Sequence, residues 1–246
     1  MHARVVATAR IAAAALIVAA ITGELLQSIH FWHTIGVRGI PGKVLDFFLF
    51  FTEDSNLAAV AVFVIGAVMI LRHGVRTPSA HWVTARLTVT SAVVLTSLGD
   101  NLLLRGTVPP AAVIPWADAS LHIVAPALVL LDWFLGPDRR RVRASTVGTA
   151  LIGPVIWLAV TMLRGPFTGD QASSARHYYP YFFLDPDHFA TGYLTVAVYV
   201  VGFFVAFCVV ALLLVWTTHW RAPGATDQGG AVDRAVRLEP APSSVR

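Results

Sequence analysis

Apolar residues are gathered in six long runs that are separated by short polar breaks. The runs cover roughly residues 5–29, 44–71, 82–104, 113–135, 143–163 and 188–216. A helix needs about 20 mainly apolar residues to cross the hydrocarbon core of a bilayer, and each run is at least about that long. The pattern therefore predicts an all-α, polytopic membrane protein with about six transmembrane helices in one bundle.

The two ends of the chain need separate interpretation. The first run follows Arg4 and Arg10 as a secretory signal would, but it exceeds the roughly 7–15 apolar residues of a signal core. We therefore interpret it as a retained helix. The segment from Arg221 is rich in Gly, Pro, Ala and charge, a composition typical of disorder. The predicted organisation is a transmembrane domain over residues 1–220 and a disordered cytoplasmic tail over residues 221–246.

Composition and charge narrow the range of partners. Hydrophobic residues make up 56% of the chain and charged residues 13%, whereas about a quarter of the residues in a soluble domain are charged. The lipid bilayer is therefore the expected environment. The formal charge of +4 is spread over the breaks and the tail, without the basic face of a nucleic-acid-binding protein, so no nucleic-acid partner is expected. The single cysteine, Cys208, excludes an intrachain disulfide and a thiolate metal cluster.

The basic residues also predict an orientation. Thirteen of the 18 Lys and Arg residues fall at the termini and on alternate breaks. The other breaks hold the remaining five, which are Arg38, Lys43, Arg105, Arg164 and Arg176. Because Lys and Arg accumulate on the cytoplasmic side of membrane proteins, we predict a multi-pass cell-membrane protein with both termini in the cytoplasm.

Polar residues within the runs gather at one depth. Thr52 lies about eight residues into the second run and His122 about nine residues into the fourth, so both are predicted to lie about 12 Å deep. Other polar residues of the same outer half are Glu24, Glu53, Asp54, Ser55, Asn56, Asp100, Asn101 and Asp118. Since such groups are costly in lipid, the pattern predicts a polar cavity that opens to the outside. The alternative is a hydrogen-bonded cluster that only holds helices together.

Residue spacings within the two runs favour nucleophilic chemistry. Asp118 precedes His122 by four residues, so its carboxylate can orient the imidazole as a general base needs. Asn56 follows Thr52 by four residues and can present an amide donor, the role of an oxyanion stabiliser in acyl transfer. For Thr52 itself the ordinary alternative is a hydroxyl that bonds the carbonyl four residues back.

Metal and haem sites are weaker alternatives. Haem ligation needs facing histidines at one depth, and only His122 lies well inside a run. His30 and His33 are three residues apart and can meet a metal with Glu24 or Asp54. We predict no resident cofactor and no metal, and keep a metal-dependent membrane enzyme as an alternative.

An aromatic stretch precedes the sixth run, from Tyr178 to Pro186. Such clusters commonly anchor a protein at the headgroup level of the bilayer. The alternative is a lid over the cavity that admits lipid chains, with Tyr179 and Tyr181 at its mouth.

Three motifs carry a family resemblance. They are Phe50-Phe51-Thr52-Glu53-Asp54-Ser55-Asn56, His122 with Pro126 and Asp132-Trp133, and Tyr179-Pro180-Tyr181-Phe182-Phe183. With these motifs the chain resembles the androgen-induced family of multipass membrane proteins, most closely its bacterial relatives, in which Ser55-Asn56 and the Tyr-Pro stretch look like branch features. Animal members hydrolyse fatty acid esters of hydroxy fatty acids with an intramembrane threonine nucleophile and a histidine. The resemblance implies these roles for Thr52 and His122.

The leading hypothesis is a lipid-ester hydrolase that acts on a lipid or fatty-acid ester. His122, oriented by Asp118 or Asp100, would take the proton of Thr52, whose oxygen attacks the ester carbonyl. The alternative to an enzyme is a transporter or a helper subunit. Transporters often show broken helices at matching places in two repeated halves, and no internal repeat is evident in the sequence.

Overall fold

Apolar helices long enough to cross a membrane dominate the structure, a computed structural model that describes residues 2–170, 172 and 175–219. Within these residues there are six such helices, which we call the first to sixth spans. They are Ala3–Thr34, Phe51–His73, Ala80–Leu104, Pro115–Leu135, Thr146–Phe167 and Tyr193–His219. The predicted all-α fold with six spans is confirmed. The predicted disordered tail, residues 221–246, lies outside the described residues.

Several spans are composed of more than one helical segment. The α-helices are α1 (His2–Thr34), α2 (Ile40–Phe47), α3 (Phe51–His73), α4 (Ala80–Gly99), α5 (Pro115–Ala119), α6 (Ala125–Leu135), α7 (Thr146–Ala150), α8 (Ile152–Arg164) and α9 (Tyr193–His219). Turns of π-helix at Asp100–Leu104 and Ser120–Val124 extend α4 and join α5 to α6. Short 3-10 turns occur at Pro110–Ala112, Gly165–Phe167, Phe182–Leu184 and Pro186–His188.

The second apolar run is not one helix as the hydrophobic pattern predicted. It is interrupted between α2 and α3, where Phe50 takes an extended conformation with φ −68° and ψ 138°. Helix α2 is held by polar contacts, since Asp46 accepts a 2.6 Å hydrogen bond from Arg164 and Lys43 donates a 3.1 Å bond to Asp170. The second span therefore begins at Phe51. Thr52 lies in its first turn, so the predicted depth of about eight residues was wrong.

The third span occupies the centre of the bundle. It packs against the second, fourth and sixth spans and the start of the fifth. The first span packs chiefly against the second, through small buried residues such as Ala14, Ala20 and Ala59. Small side chains let helix backbones approach closely in a membrane. This arrangement brings the end of the third span and the starts of the second and fourth together at one end of the bundle, which we call the Thr52 end.

The opposite end holds a buried network of charges. Arg10 donates to Asp132 at 2.7 Å and to Asp138 at 2.5 Å, and Arg86 donates to Asp132 at 2.9 Å. Arg10 and Arg86 are among the basic residues that predict the cytoplasmic side, yet each is only 3% exposed. Burial by itself would raise the pKa of Asp138, but the charge of Arg86 and the hydrogen bond from Arg10 outweigh it and lower that pKa. The polar pattern predicted one polar cluster, in the outer half, and the structure has this second, buried cluster at the other end.

Candidate functional site

The Thr52 hydroxyl faces the His122 imidazole. Thr52 Oγ1 lies 3.5 Å from His122 Nε2, across the contact between the second and fourth spans. Thr52 is 8% exposed, and the imidazole is nearly as well shielded. The distance is at the outer limit of a hydrogen bond, which is common for catalytic pairs in structures without substrate.

Asp118 orients the other side of the imidazole. His122 Nδ1 lies 2.9 Å from Asp118 Oδ1 and 3.1 Å from the Asp118 carbonyl oxygen. Both partners are acceptors, so Nδ1 carries the hydrogen and donates it. In the neutral ring this leaves the lone pair on Nε2, directed at Thr52. Hydroxyl, imidazole and carboxylate thus form a continuous chain of the kind found in acyl-transfer triads.

A turn of π-helix positions His122. In an α-helix the carbonyl of residue 122 would accept from the N–H of residue 126, but Pro126 has no N–H. The freed carbonyl instead accepts a 2.6 Å hydrogen bond from Ser97 Oγ on the third span. Turns of π-helix are rare and frequently lie at functional sites. The apolar pattern did not predict this turn, and its one sequence signal is the proline four residues after His122.

Tyr181 lies against the backbone of Thr52. The Thr52 N–H donates a 3.4 Å hydrogen bond to the hydroxyl oxygen of Tyr181. Tyr181 is 8% exposed, and its burial, together with the charge of Glu53, raises its pKa. The phenol therefore keeps its proton and remains a hydrogen-bond donor at neutral pH.

Ser55 and Asn56 brace this turn from the side of the core. Ser55 Oγ and Asn56 Nδ2 both donate to the Thr52 carbonyl oxygen, at 3.1 and 3.0 Å. Ser55 also contacts Thr96 Oγ1 at 3.1 Å. The Asn56 amide, which the four-residue spacing from Thr52 suggested as an oxyanion donor, is thus directed at the backbone. Asn56 is also fully buried.

An apolar cavity adjoins Thr52. It holds about 650 Å³ of empty space, including its open part. Thr52, Thr96, Asp100 and Tyr181 supply its polar wall. The rest is largely aromatic and includes Phe51, Trp157, Phe183, Phe203, Phe204 and Phe207. The second predicted mouth residue, Tyr179, lies elsewhere, with its ring packed against Gly165.

Asp100 approaches the same imidazole from the third span. Its Oδ1 lies 3.9 Å from His122 Nε2, and its Oδ2 is buried without a hydrogen bond among the described residues. Asp100, Asp118 and His122 each offer a donor atom within 4.8 Å of the others, a group that could hold a metal ion. Two carboxylates and an imidazole suit several divalent metals.

The metal group that the sequence left as an alternative does not assemble. Among the described residues, His30 and His33 belong to no group of three potential ligands. Glu24, a partner considered for them, instead accepts a 3.2 Å hydrogen bond from the backbone N–H of Ile114. Any metal chemistry would therefore centre on His122, not on the end of the first span.

Comparison with known proteins gives no assignment. No protein-family model, curated protein or solved structure matches this chain.

Proposed function

We propose that this membrane protein is an intramembrane lipid-ester hydrolase in which Thr52 is the nucleophile and His122 the general base. One observation carries the proposal, namely the chain from Thr52 Oγ1 to His122 at 3.5 Å and from His122 to Asp118 at 2.9 Å. Thr52 also lines an apolar cavity that suits a lipid chain. A relationship to the androgen-induced family, in which threonine and histidine have these roles, is part of the proposal.

The reaction follows the acyl-transfer sequence. His122 Nε2 takes the proton of Thr52 as Oγ1 bonds to the ester carbonyl carbon. The tetrahedral intermediate then expels the alcohol oxygen, which receives that proton from the imidazolium. A water molecule, deprotonated by His122, then attacks the acyl-threonine carbonyl carbon. The bond from this carbon to Oγ1 breaks, the fatty acid leaves, and Thr52 Oγ1 regains its proton from the imidazolium. Asp118 holds the ring and stabilises its positive charge in both steps.

One donor beside Thr52 suits the oxyanion of this intermediate. Tyr181 Oη accepts a 3.4 Å hydrogen bond from the Thr52 N–H, so the phenol lies next to the nucleophile and can donate its own O–H to an oxyanion. Thr52 itself lies in the first turn of α3, where the backbone dipole favours negative charge. Preorganised donors of this kind commonly supply a large part of the rate enhancement in acyl transfer.

Replacing Tyr181 with phenylalanine should lower kcat by roughly 10²–10³-fold, the typical effect of one oxyanion donor. KM should change little because the ring that lines the cavity remains. Tyr179→Phe is the matched control, since this tyrosine precedes Tyr181 by two residues and lies outside the cavity wall. Equal kcat values for Tyr181→Phe and the parent would show that the Tyr181 hydroxyl does not stabilise the oxyanion.

The nucleophile can be identified with a fluorophosphonate probe, which modifies activated serine and threonine hydroxyls. We expect modification of the purified protein at Thr52, blocked in His122→Ala and unaffected by EDTA.

The arrangement of Asp100, Asp118 and His122 favours one other function, a hydrolase in which a bound divalent metal activates water. Hydrolysis that EDTA abolishes and a divalent metal restores, without modification of Thr52, would establish that alternative and exclude the threonine mechanism.

A further inference from the structure

Asp100 lies beside the reacting nitrogen of His122, and the reaction steps given above leave it without a role. Its Oδ1 atom is 3.9 Å from His122 Nε2, whereas Asp118 binds Nδ1 on the other side of the ring. The imidazole is therefore oriented without Asp100. Asp100 also lines the apolar cavity together with Thr52, so it adjoins the space in which an acyl-threonine forms.

Other side chains hold this carboxylate only weakly. Its Oδ2 atom is buried and has no hydrogen bond among the described residues. Arg105 Nη2 lies 3.9 Å from Oδ2, but Arg105 donates its hydrogen bonds to Asn101 Oδ1, at 2.6 and 3.0 Å. The Arg105 side chain is also 52% exposed, so its ion pair with Asp100 contributes little to stability. An acidic residue at this depth is costly and is more often functional than structural.

Asp100 Oδ1 and His122 Nε2 are two hydrogen-bond acceptors that face each other. The hydrogen of the neutral imidazole is on Nδ1, which donates to Asp118, and an ionised carboxylate only accepts. A direct hydrogen bond between the two atoms is excluded, because neither donates and 3.9 Å is too long. A water molecule that donates one O–H group to each, at about 2.8 Å, spans roughly 4 Å between its acceptors. The separation therefore fits one bridging water.

We propose that Asp100 holds the water molecule that hydrolyses the acyl-threonine, a role that rests on the proposed function of Thr52 and His122. In the acyl-threonine, Oγ1 has no hydrogen to offer Nε2, so this nitrogen is available to water. The water donates one O–H group to His122 Nε2 and the other to Asp100 Oδ1. Its lone pairs are then left for the acyl carbonyl carbon, which is bonded to the nearby Thr52 Oγ1.

Asp100 neither gains nor loses a proton in this step. The water oxygen bonds to the acyl carbon as one of its protons passes to His122 Nε2, while its other O–H group stays hydrogen-bonded to Asp100. The bond from the carbon to Thr52 Oγ1 then breaks, and Oγ1 takes the proton from the imidazolium. Asp100 fixes the direction of attack. Acylation of Thr52 uses no water and is independent of Asp100.

A fatty acyl p-nitrophenyl ester allows the two halves of the reaction to be followed separately in detergent. The first release of nitrophenol reports acylation of Thr52, and the later steady rate reports release of the fatty acid. Asp100→Leu removes the acceptor and keeps a side chain of similar shape. We expect its first phase to match that of the parent and its steady rate to fall roughly 10–100-fold, the effect of a misplaced reactant. Acyl-Thr52 should accumulate and be detected by mass spectrometry.

Two further variants and EDTA control the measurement. Asp100→Asn keeps an oxygen acceptor and should have a steady rate between those of the parent and Asp100→Leu. Arg105→Gln is the matched control, because it removes the cation beside Asp100 and leaves both acceptors in place. It should match the parent in both phases. EDTA in every sample prevents a bound metal from supplying the water.

The outcomes separate this role from the proposed function. A parental steady rate in Asp100→Leu would show that Asp100 does not hold the water. Equal losses in both phases, with slower fluorophosphonate modification of Thr52, would show that Asp100 only maintains the shape of the site. Either result overturns the role of Asp100 and leaves the threonine mechanism in place. Absence of acyl-Thr52 and of probe modification in the parent would overturn the proposed function, and the role of Asp100 with it.

Discussion

Alanine at Thr52 or at His122 should lower ester hydrolysis by at least about 10³-fold, because the remaining groups cannot form the acyl intermediate. In the proposed mechanism the two residues act as one unit, and their side chains lie 3.5 Å apart. The double variant should therefore lose little more activity than either single variant. Release of fatty acid from a branched hydroxy-fatty-acid ester, by protein in detergent or liposomes, provides the measurement.

Three variants control for effects unrelated to the reaction. Thr52→Ser keeps an oxygen nucleophile and should retain part of the activity. Thr84→Ala removes another threonine hydroxyl, which bonds the Ala80 carbonyl at 3.0 Å, and His33→Ala removes a histidine far from the site in sequence. Both should hydrolyse as the parent does. Parental turnover in Thr52→Ala would refute the threonine mechanism, and strictly additive losses would refute the coupling to His122.

Asp132→Ala should lower the free energy of unfolding by about 3–5 kcal/mol, the usual effect of removing one member of a buried charge cluster. Arg10 and Arg86 each donate to this carboxylate, at 2.7 and 2.9 Å. Without it, two buried guanidinium groups share the single carboxylate of Asp138, and one positive charge is left without a match. Denaturant or thermal unfolding in detergent measures the loss, with hydrolysis of the folded fraction as a separate readout.

A charge-balanced variant separates this effect from the loss of packing. Arg10→Met combined with Asp132→Leu removes one charge of each sign and leaves Arg86 beside Asp138, at 3.4 Å. The double variant should be more stable than Asp132→Ala, since replacing a buried pair by apolar side chains is often close to neutral. Asp187→Ala is the surface control, because its carboxylate is 67% exposed and should contribute at most about 1 kcal/mol. If Asp132→Ala unfolds no more easily than Asp187→Ala, the network does not stabilise the fold.

The local pattern of the chain was sufficient for the fold class. Each span is a continuous apolar segment, and the bilayer requires every backbone polar group within it to be satisfied by helix formation. This rule acts on about 20 neighbouring residues at a time, so it can be applied without knowing which helices meet. The depth count along each run was less reliable, because the second span begins only at Phe51 and Thr52 lies in its first turn.

The hydrophobic pattern did not predict the local breaks in the helices. Except for Asp46, the residues from Val44 to Phe50 are apolar, so the hydrophobic pattern does not separate α2 from the second span. The break depends on Lys43 and Asp46, whose partners Asp170 and Arg164 lie more than a hundred residues away in sequence. The π-helical turn at His122 depends in part on a local residue, Pro126, and in part on Ser97 of another span.

The sequence alone determined the lipid environment of the protein, the number of its spans and the residue types that carry its candidate chemistry. Tertiary structure decided which polar groups face one another. In the sequence, Arg10 and Arg86 cannot be distinguished from the arginines at the surface. They are nevertheless buried, because Asp132 and Asp138 form ion pairs with them across the bundle. A charge can enter the interior only beside an opposite charge and hydrogen-bond partners. Those partners come from distant segments, which only the packing of the spans brings together.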